Sequence, residues 1–269
     1  AKLGASAMNS IEKKFWDAAP IATGDCLENL QNLLPVPHFL ASVSSALERS
    51  SEVDTYIRKK SLKFLADRVG ELSPDSPEAS LFLEMVPDLV ALIDVDRSTD
   101  GSGEDSLTHV RRTIIIQQGA LIAIECFVRS LYPTTDNGKL ATNAAAAFLP
   151  ALASITRLLN NTALSWIKAS ENCSDGESGV ADAECQLLSS SSLCVYTIVT
   201  TLKARCLPQL SSIVKPLVAS LKSVNELLGE PQEKAAASGE LLQLSILKTL
   251  KALAETLPQF LPPFLPLLF

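Results

Sequence analysis

Aromatic side chains are scarce in this sequence, at 5% of 269 residues with two tryptophans and three tyrosines, and glycine occurs only 11 times. Strands of a β sandwich or barrel draw on aromatics and their turns draw on glycine, so this shortage argues against both classes. Histidine is nearly missing, with His38 and His109 alone. The six cysteines, at 26, 126, 173, 185, 194 and 206, make no Cys-x-x-Cys pair and have no histidine beside them. That spacing supplies no zinc framework, and neither a metal nor any other cofactor is expected. Cys126, Cys194 and Cys206 fall in apolar helical stretches, where a thiol behaves as a small buried hydrophobe, which fits a reducing intracellular compartment. Two sequons, at Asn160 and Asn172, would point to secretion only behind a signal peptide, and none is read here.

What is abundant is aliphatic. Hydrophobic residues reach 47% against 20% charged, and 23 Lys+Arg face 30 Asp+Glu for a net charge of −7 and a pI near 5.0. The apolar fraction excludes wholesale disorder, and the combination points to an all-helical chain with a sizeable core. An acidic molecule is repelled as a whole by nucleic acid and anionic membrane, so any such partner must be met by a local basic patch.

Internal repetition organises the chain. A bulky apolar residue followed by proline opens an apolar helix again and again, and Pro37, Pro87, Pro150, Pro208 and Pro258 are separated by 50, 63, 58 and 50 residues. Proline is tolerated in the first turn of a helix and stops the preceding one, so each is expected to mark a helix-to-helix corner. Between corners the pattern reads helix, polar loop, helix. The second helices are expected over Thr55 to Leu72, Val110 to Leu131, Leu187 to Cys206 and Leu241 to Leu257. In the first of these, Ile57, Ser61, Phe64, Leu65, Val69 and Leu72 share a face. Asn9 to Leu34 reads as the closing part of a preceding repeat.

Long polar connections are expected at 96–108, 169–184 and 229–239, where a repeat array tolerates insertions because each unit touches only its neighbours. The reading is one solenoid segment over residues 1–269, a right-handed superhelix of antiparallel helix pairs with about ten helices, cut from a longer protein. Phe260 to Phe269 is too short and too proline-rich to cross a bilayer, which takes about 20 apolar residues. It reads as the first helix of a next repeat, and no membrane partner is expected.

Catalysis finds little support. A hydrolase needs a nucleophile, a base and an orienting group, and Ser189 to Ser192 with two isolated histidines do not supply them in any known spacing. Acidic pairs such as Glu104 and Asp105 fall in segments expected to be loops, which do not fix the geometry that catalysis requires. Neither an enzyme nor a small-molecule substrate is expected.

Basic clusters are more informative. Arg58, Lys59, Lys60 and Lys63 crowd the start of one second helix, and Arg111 and Arg112 hold the matching point of the next. If the two helices stack in parallel, the cations form a ridge with about 10 Å between repeats, within roughly one Debye length at physiological salt. Such a ridge suits phosphate or an acidic protein. The alternative is a solvated polar face, with Glu48, Glu52, Asp54 and Asp67 offsetting part of the field and Arg58 bonded to an acidic residue of the adjacent repeat. Ser102 and Ser174 each stand three residues before an acidic side chain and are candidate phosphorylation sites for an acidophilic kinase.

The stretch Asp54, Ile57, Arg58 and Ser61, with His109, Val110, Arg111 and Arg112, resembles the opening of the second helix of HEAT repeats. Residues 57–68, 207–218 and 254–264 are similar to the C-terminal part of the HEAT repeat-containing protein 1 family, called in fungi U three small nucleolar RNA-associated protein 10. The likeness departs in the three long connections and at Ile114, where a small residue is expected. It implies a HEAT/armadillo-like fold and a non-enzymatic nucleolar scaffold of the small-subunit processome, active in ribosome biogenesis, processing of the small-subunit rRNA precursor and rRNA transcription. The implied partners are processome proteins of the early transcription-linked subcomplex, with pre-rRNA or small nucleolar RNA as further contacts. The runner-up is a HEAT-repeat adaptor of nuclear transport or vesicle coats.

Overall fold

The computed structural model describes residues 33–48, 54–73, 75–95, 104–132, 138–171, 178–228 and 236–267. Among them are nine α-helices and no strand: α1 (Val36–Leu47), α2 (Asp54–Gly70), α3 (Ala79–Leu83), α4 (Val86–Ile93), α5 (Glu104–Leu131), α6 (Gly138–Glu171), α7 (Ser178–Leu202), α8 (Leu210–Leu228) and α9 (Ala236–Thr256). Three 3-10 segments, Lys203–Gln209, Pro258–Phe260 and Pro262–Leu267, complete the described chain.

The helices form two layers. In one, α2, α5, α7 and α9 pack side by side in that order; in the other, α4, α6 and α8 do the same, and α1, α4, α6 and α8 each back onto α2, α5, α7 and α9 respectively. Partners within a pair run antiparallel. Arg68 near the end of α2 donates to the Leu34 carbonyl before α1 at 2.9 Å, Ser165 late in α6 donates to Glu184 early in α7 at 2.6 Å, and Gln243 early in α9 donates to Asn225 late in α8 at 2.9 Å. This arrangement is consistent with a HEAT-type stack of helix pairs.

One core runs the length of both layers. Phe39 of α1, Phe82 of α3 and Phe127 of α5 are linked ring to ring at 6.4 Å and 6.1 Å, the second contact edge to face, a geometry that adds to simple burial. Further along, Leu152 and Ile155 of α6, Val195 and Ile198 of α7, Leu217 of α8 and Leu253 of α9 are all fully buried. Two stretches, Leu107–Leu131 and Val180–Glu226, are long and apolar enough to cross a membrane by composition, yet more than half of each lies inside the fold, packed against neighbouring helices.

Three expectations are corrected. Pro150 is not a corner: it sits inside the continuous helix α6. Both Pro150 and Ala146 are exposed, so the carbonyl that loses its partner to the proline faces solvent, which lowers the cost of an interior proline. The polar connections are shorter than expected, because Glu104 to Thr108 belong to α5, Ala169 to Glu171 to α6, Ser178 to Glu184 to α7 and Ala236 to Gly239 to α9. Ser, Asp and Glu favour first turns of helices as much as loops, so composition alone does not separate the two. Lastly, the 260–267 segment forms 3-10 turns rather than an α-helix, since Pro262, Pro263 and Pro266 cannot donate to the α-helical ladder.

Pro37 and Pro87 stand in the first turns of α1 and α4, and Pro208 lies in the 3-10 corner between α7 and α8. At the start of that corner Lys203 has φ of 51°, the one left-handed non-glycine residue among those described. The expected leading unit, Asn9 to Leu34, lies outside the described residues except for Leu33 and Leu34.

Candidate functional site

The basic face begins with the way α2 is buried. Leu62, Leu65, Ala66 and Val69 are each no more than 6% exposed, the i, i+3, i+4, i+7 stripe that fixes one side of a helix. Tyr56, Lys59, Lys63, Asp67 and Gly70 share a second face, about 100° round the helix from that stripe, and all five are exposed. Arg58 is turned toward the packed side and is half-buried. Lys60 is also half-buried and holds its ammonium 5.8 Å from the centre of the Tyr56 ring. Lys63 pairs with Asp67 at 3.9 Å, with both side chains about half exposed, a surface pair of small energetic weight.

In α5, Arg111, Ile122 and Arg129 are exposed and lie on one face, 11 and 18 residues being close to three and five helical turns. Arg112, one residue on, turns toward the packing side and is half-buried. The relation between α2 and α5 follows from two contacts. A Cβ built on Gly119 would stand 2.9 Å from the Leu62 Cδ1 atom, so the two helices approach closely there. Farther along both helices, Arg68 of α2 lies 5.2 Å from the centre of the Phe39 ring, which is linked through Phe82 to Phe127 of α5. Leu62 with Gly119 and, later on both helices, Arg68 with Phe127 advance together, so α2 and α5 run parallel. Lys59, Lys60, Lys63 and Arg111 are thus brought onto neighbouring helices of one layer, while Arg58 and Arg112 lie on the flanks.

The layer continues in the same sense. Glu125 of α5 accepts from Arg129 and, at 3.2 Å, from Thr197 of α7. Thr249 of α9 donates to the Ser192 carbonyl of α7 at 2.9 Å, and Lys248 lies 4.5 Å from the centre of the Tyr196 ring. Where α5, α7 and α9 meet, Gln118, Ile122, Gln186, Ser189, Ser190 and Leu241 line an open cavity of about 320 Å³.

The other singled-out residues are scattered. His38 is exposed in the first turn of α1, and His109 is exposed in α5. Ser189, Ser190 and Ser192 donate to carbonyls four residues back in their own helix, a use of the hydroxyl that offers no activated nucleophile. Ser102 and Ser174 lie outside the described residues. Among the described residues no three of His, Cys, Asp and Glu are grouped as metal ligands would be. Cys126, Cys194 and Cys206 are free thiols. Burial pushes Cys185 and Cys206 up to about 12 and raises Cys194 and Cys126, the last with help from the Glu125 carboxylate, so these thiols are poor nucleophiles.

Sequence reasoning missed Tyr56, although its position four residues before Lys60 and on the same helical face as Lys59 and Lys63 is written in the numbering. It also missed the Glu125, Arg129 and Thr197 contact, which joins residues 72 apart and has no local signal.

No family model and no solved structure matches the chain. Similarity to curated proteins is extensive: it is 25% identical over 253 residues, 94% of its length, to HEAT repeat-containing protein 1 of Homo sapiens. The chain is similar to HEAT repeat-containing protein 1. The match recurs at 24% over 254 residues with HEAT repeat-containing protein 1 of Danio rerio and at 21% over 243 residues with the homolog of Dictyostelium discoideum. It lies in the C-terminal part of these proteins, and the chain spans about a tenth of the length of each.

Proposed function

We propose that this chain is a segment of a non-enzymatic scaffold of the small-subunit processome, located in the nucleolus, that supports ribosome biogenesis, processing of the small-subunit rRNA precursor and rRNA transcription. The observation that carries the reading is the similarity to HEAT repeat-containing protein 1 over 94% of the chain, the family whose resemblance implies that role. The two-layer helical stack agrees with it, because such a stack offers extended surfaces to partners rather than a closed pocket. Most contacts are to processome proteins of the early transcription-linked subcomplex. The face carrying Lys59, Lys60, Lys63 and Arg111 is available to pre-rRNA or small nucleolar RNA, with Arg58 and Arg112 supporting it from the flanks.

The test is a pull-down of the tagged parent protein from nuclear extract, reading co-purified RNA and proteins, beside a variant with Glu at 58, 59, 60, 63, 111 and 112. Recovery of the rRNA precursor with processome proteins is expected for the wild type, with loss of RNA in the variant. Recovery of transport receptors or coat components in their place would support the adaptor reading and overturn the scaffold.

A further inference from the structure

Tyr56 is a large aromatic residue left 66% exposed on a folded surface. It does not stand in an apolar patch. It shares its face of α2 with Lys59 and Lys63, and the Lys60 ammonium rests 5.8 Å from its centre. A tyrosine two-thirds in solvent contributes little to the fold, and a ring among cations suits a ligand that is both flat and anionic.

The neighbouring helix enlarges the patch. Tyr56 is six residues before Leu62, and Arg111 is eight before its contact partner Gly119. Along parallel axes these offsets are about 9 Å and 12 Å, so Arg111 stands almost level with the ring, one interhelical spacing of about 8–10 Å away. Lys59 and Lys63 are one turn apart and rise about 6 Å along the helix. The ring is consequently bordered by Arg111 on one side and by a line of two lysines above it. Asp67 lies 3.9 Å from Lys63, and this exposed pairing is weak enough for a phosphate to share the lysine.

We propose that this face binds single-stranded RNA, with an unpaired base stacked on Tyr56 and its flanking phosphates held by Lys59, Lys63 and Arg111. The proposal rests on reading the basic face as an RNA contact and narrows that contact to unpaired strands. A duplex hides the faces of its bases and would leave the ring unused. An acidic peptide would satisfy the lysines and gain nothing from the ring. Stacking on a protein aromatic beside cations is sequence-tolerant, since every base presents a π face.

The experiment is fluorescence anisotropy of the purified chain with a labelled 12-nucleotide uridine-rich RNA, with the corresponding RNA duplex and a glutamate-rich peptide as separate probes. Tyr56→Ala is expected to weaken single-strand binding between about 5-fold and 100-fold, while Tyr56→Phe stays within about 2-fold of wild type. Lys59→Glu with Lys63→Glu should weaken it further and flatten a log-log salt slope of about −2 for three phosphates on a single strand. The duplex and the peptide should each bind at least about tenfold more weakly. Binding by Tyr56→Ala equal to wild type, or duplex or peptide binding as tight as the single strand, would overturn the proposal. Circular dichroism guards against a folding effect, and Tyr56→Trp, which enlarges the stacking surface, should bind at least as tightly as wild type. The outcome is separable from the scaffold reading: a pull-down lacking processome components sinks that reading without touching the oligonucleotide result, and the reverse holds as well.

Discussion

Gly119 shows how much one atom can decide. Its absent Cβ lets α5 approach α2, and the atom it would meet is the Leu62 Cδ1 at 2.9 Å, the far end of a flexible side chain. Gly119→Ala should therefore be close to neutral, the gain in helix propensity of about 1 kcal/mol offsetting the shift of Leu62. Gly119→Val has no such escape and should cost about 1–3 kcal/mol in urea denaturation, with part of the loss recovered in a Leu62→Ala background. The cysteines give a pH prediction. A thiol whose folded pKa lies above its unfolded value favours the protonated form in the native state, so its stabilising contribution is complete below about 9 and is lost as pH rises toward 12. With Cys185 and Cys206 both pushed up to about 12, stability should fall with rising pH above about 9. Cys206→Ala should reduce that slope, as measured by denaturant midpoints across the alkaline range. Thiol-specific reagents should react with Cys185, Cys194 and Cys206 only as fast as the native protein opens.

At the scale of elements, polar side chains set how one helix pair meets the next. Gln117 is fully buried in α5, and its amide donates to the Ile93 carbonyl at 2.9 Å and the Val95 carbonyl at 3.2 Å. It thus closes the C-terminal end of α4, whose last carbonyls have no helical partner. Gln117→Leu should cost about 1–3 kcal/mol and raise amide exchange in α4 ahead of α6. Helix type and the two-layer pairing were legible in the sequence because aliphatic stripes and corner prolines are local signals. Pro150 was misread because proline at a corner and proline on the exposed side of a long helix look alike until burial is known. The helix starts at Glu104, Ser178 and Ala236 read as loops in the sequence because Ser, Asp, Gly and Glu favour both loops and first turns. Half of the cationic ridge was legible too. Lys59, Lys63 and Arg111 face outward as their numbering suggests, whereas Arg58 and Arg112, one residue from them, rotate by about 100° toward neighbouring helices. Leu62, outside the expected face, is buried and meets Gly119 of α5, a demand that the tertiary stack creates.

Among the described residues, each helix of the α2, α5, α7 and α9 layer packs chiefly against its neighbours. Stability should then be local. Thr249→Val removes the bond to the Ser192 carbonyl of α7, and it should increase hydrogen exchange in α8 and α9 while leaving α1 to α5 close to wild type. Uniform loss of protection along the chain would contradict that picture. The same connectivity carries a mechanical consequence. A pull along the stack passes through the α2–α5, α5–α7 and α7–α9 interfaces one after another, so they bear equal tension as links in series. The molecule should lengthen in discrete steps under load, one helix pair detaching while the others remain folded, and a large assembly built on such a segment could change shape at the cost of a single interface rather than of the entire fold.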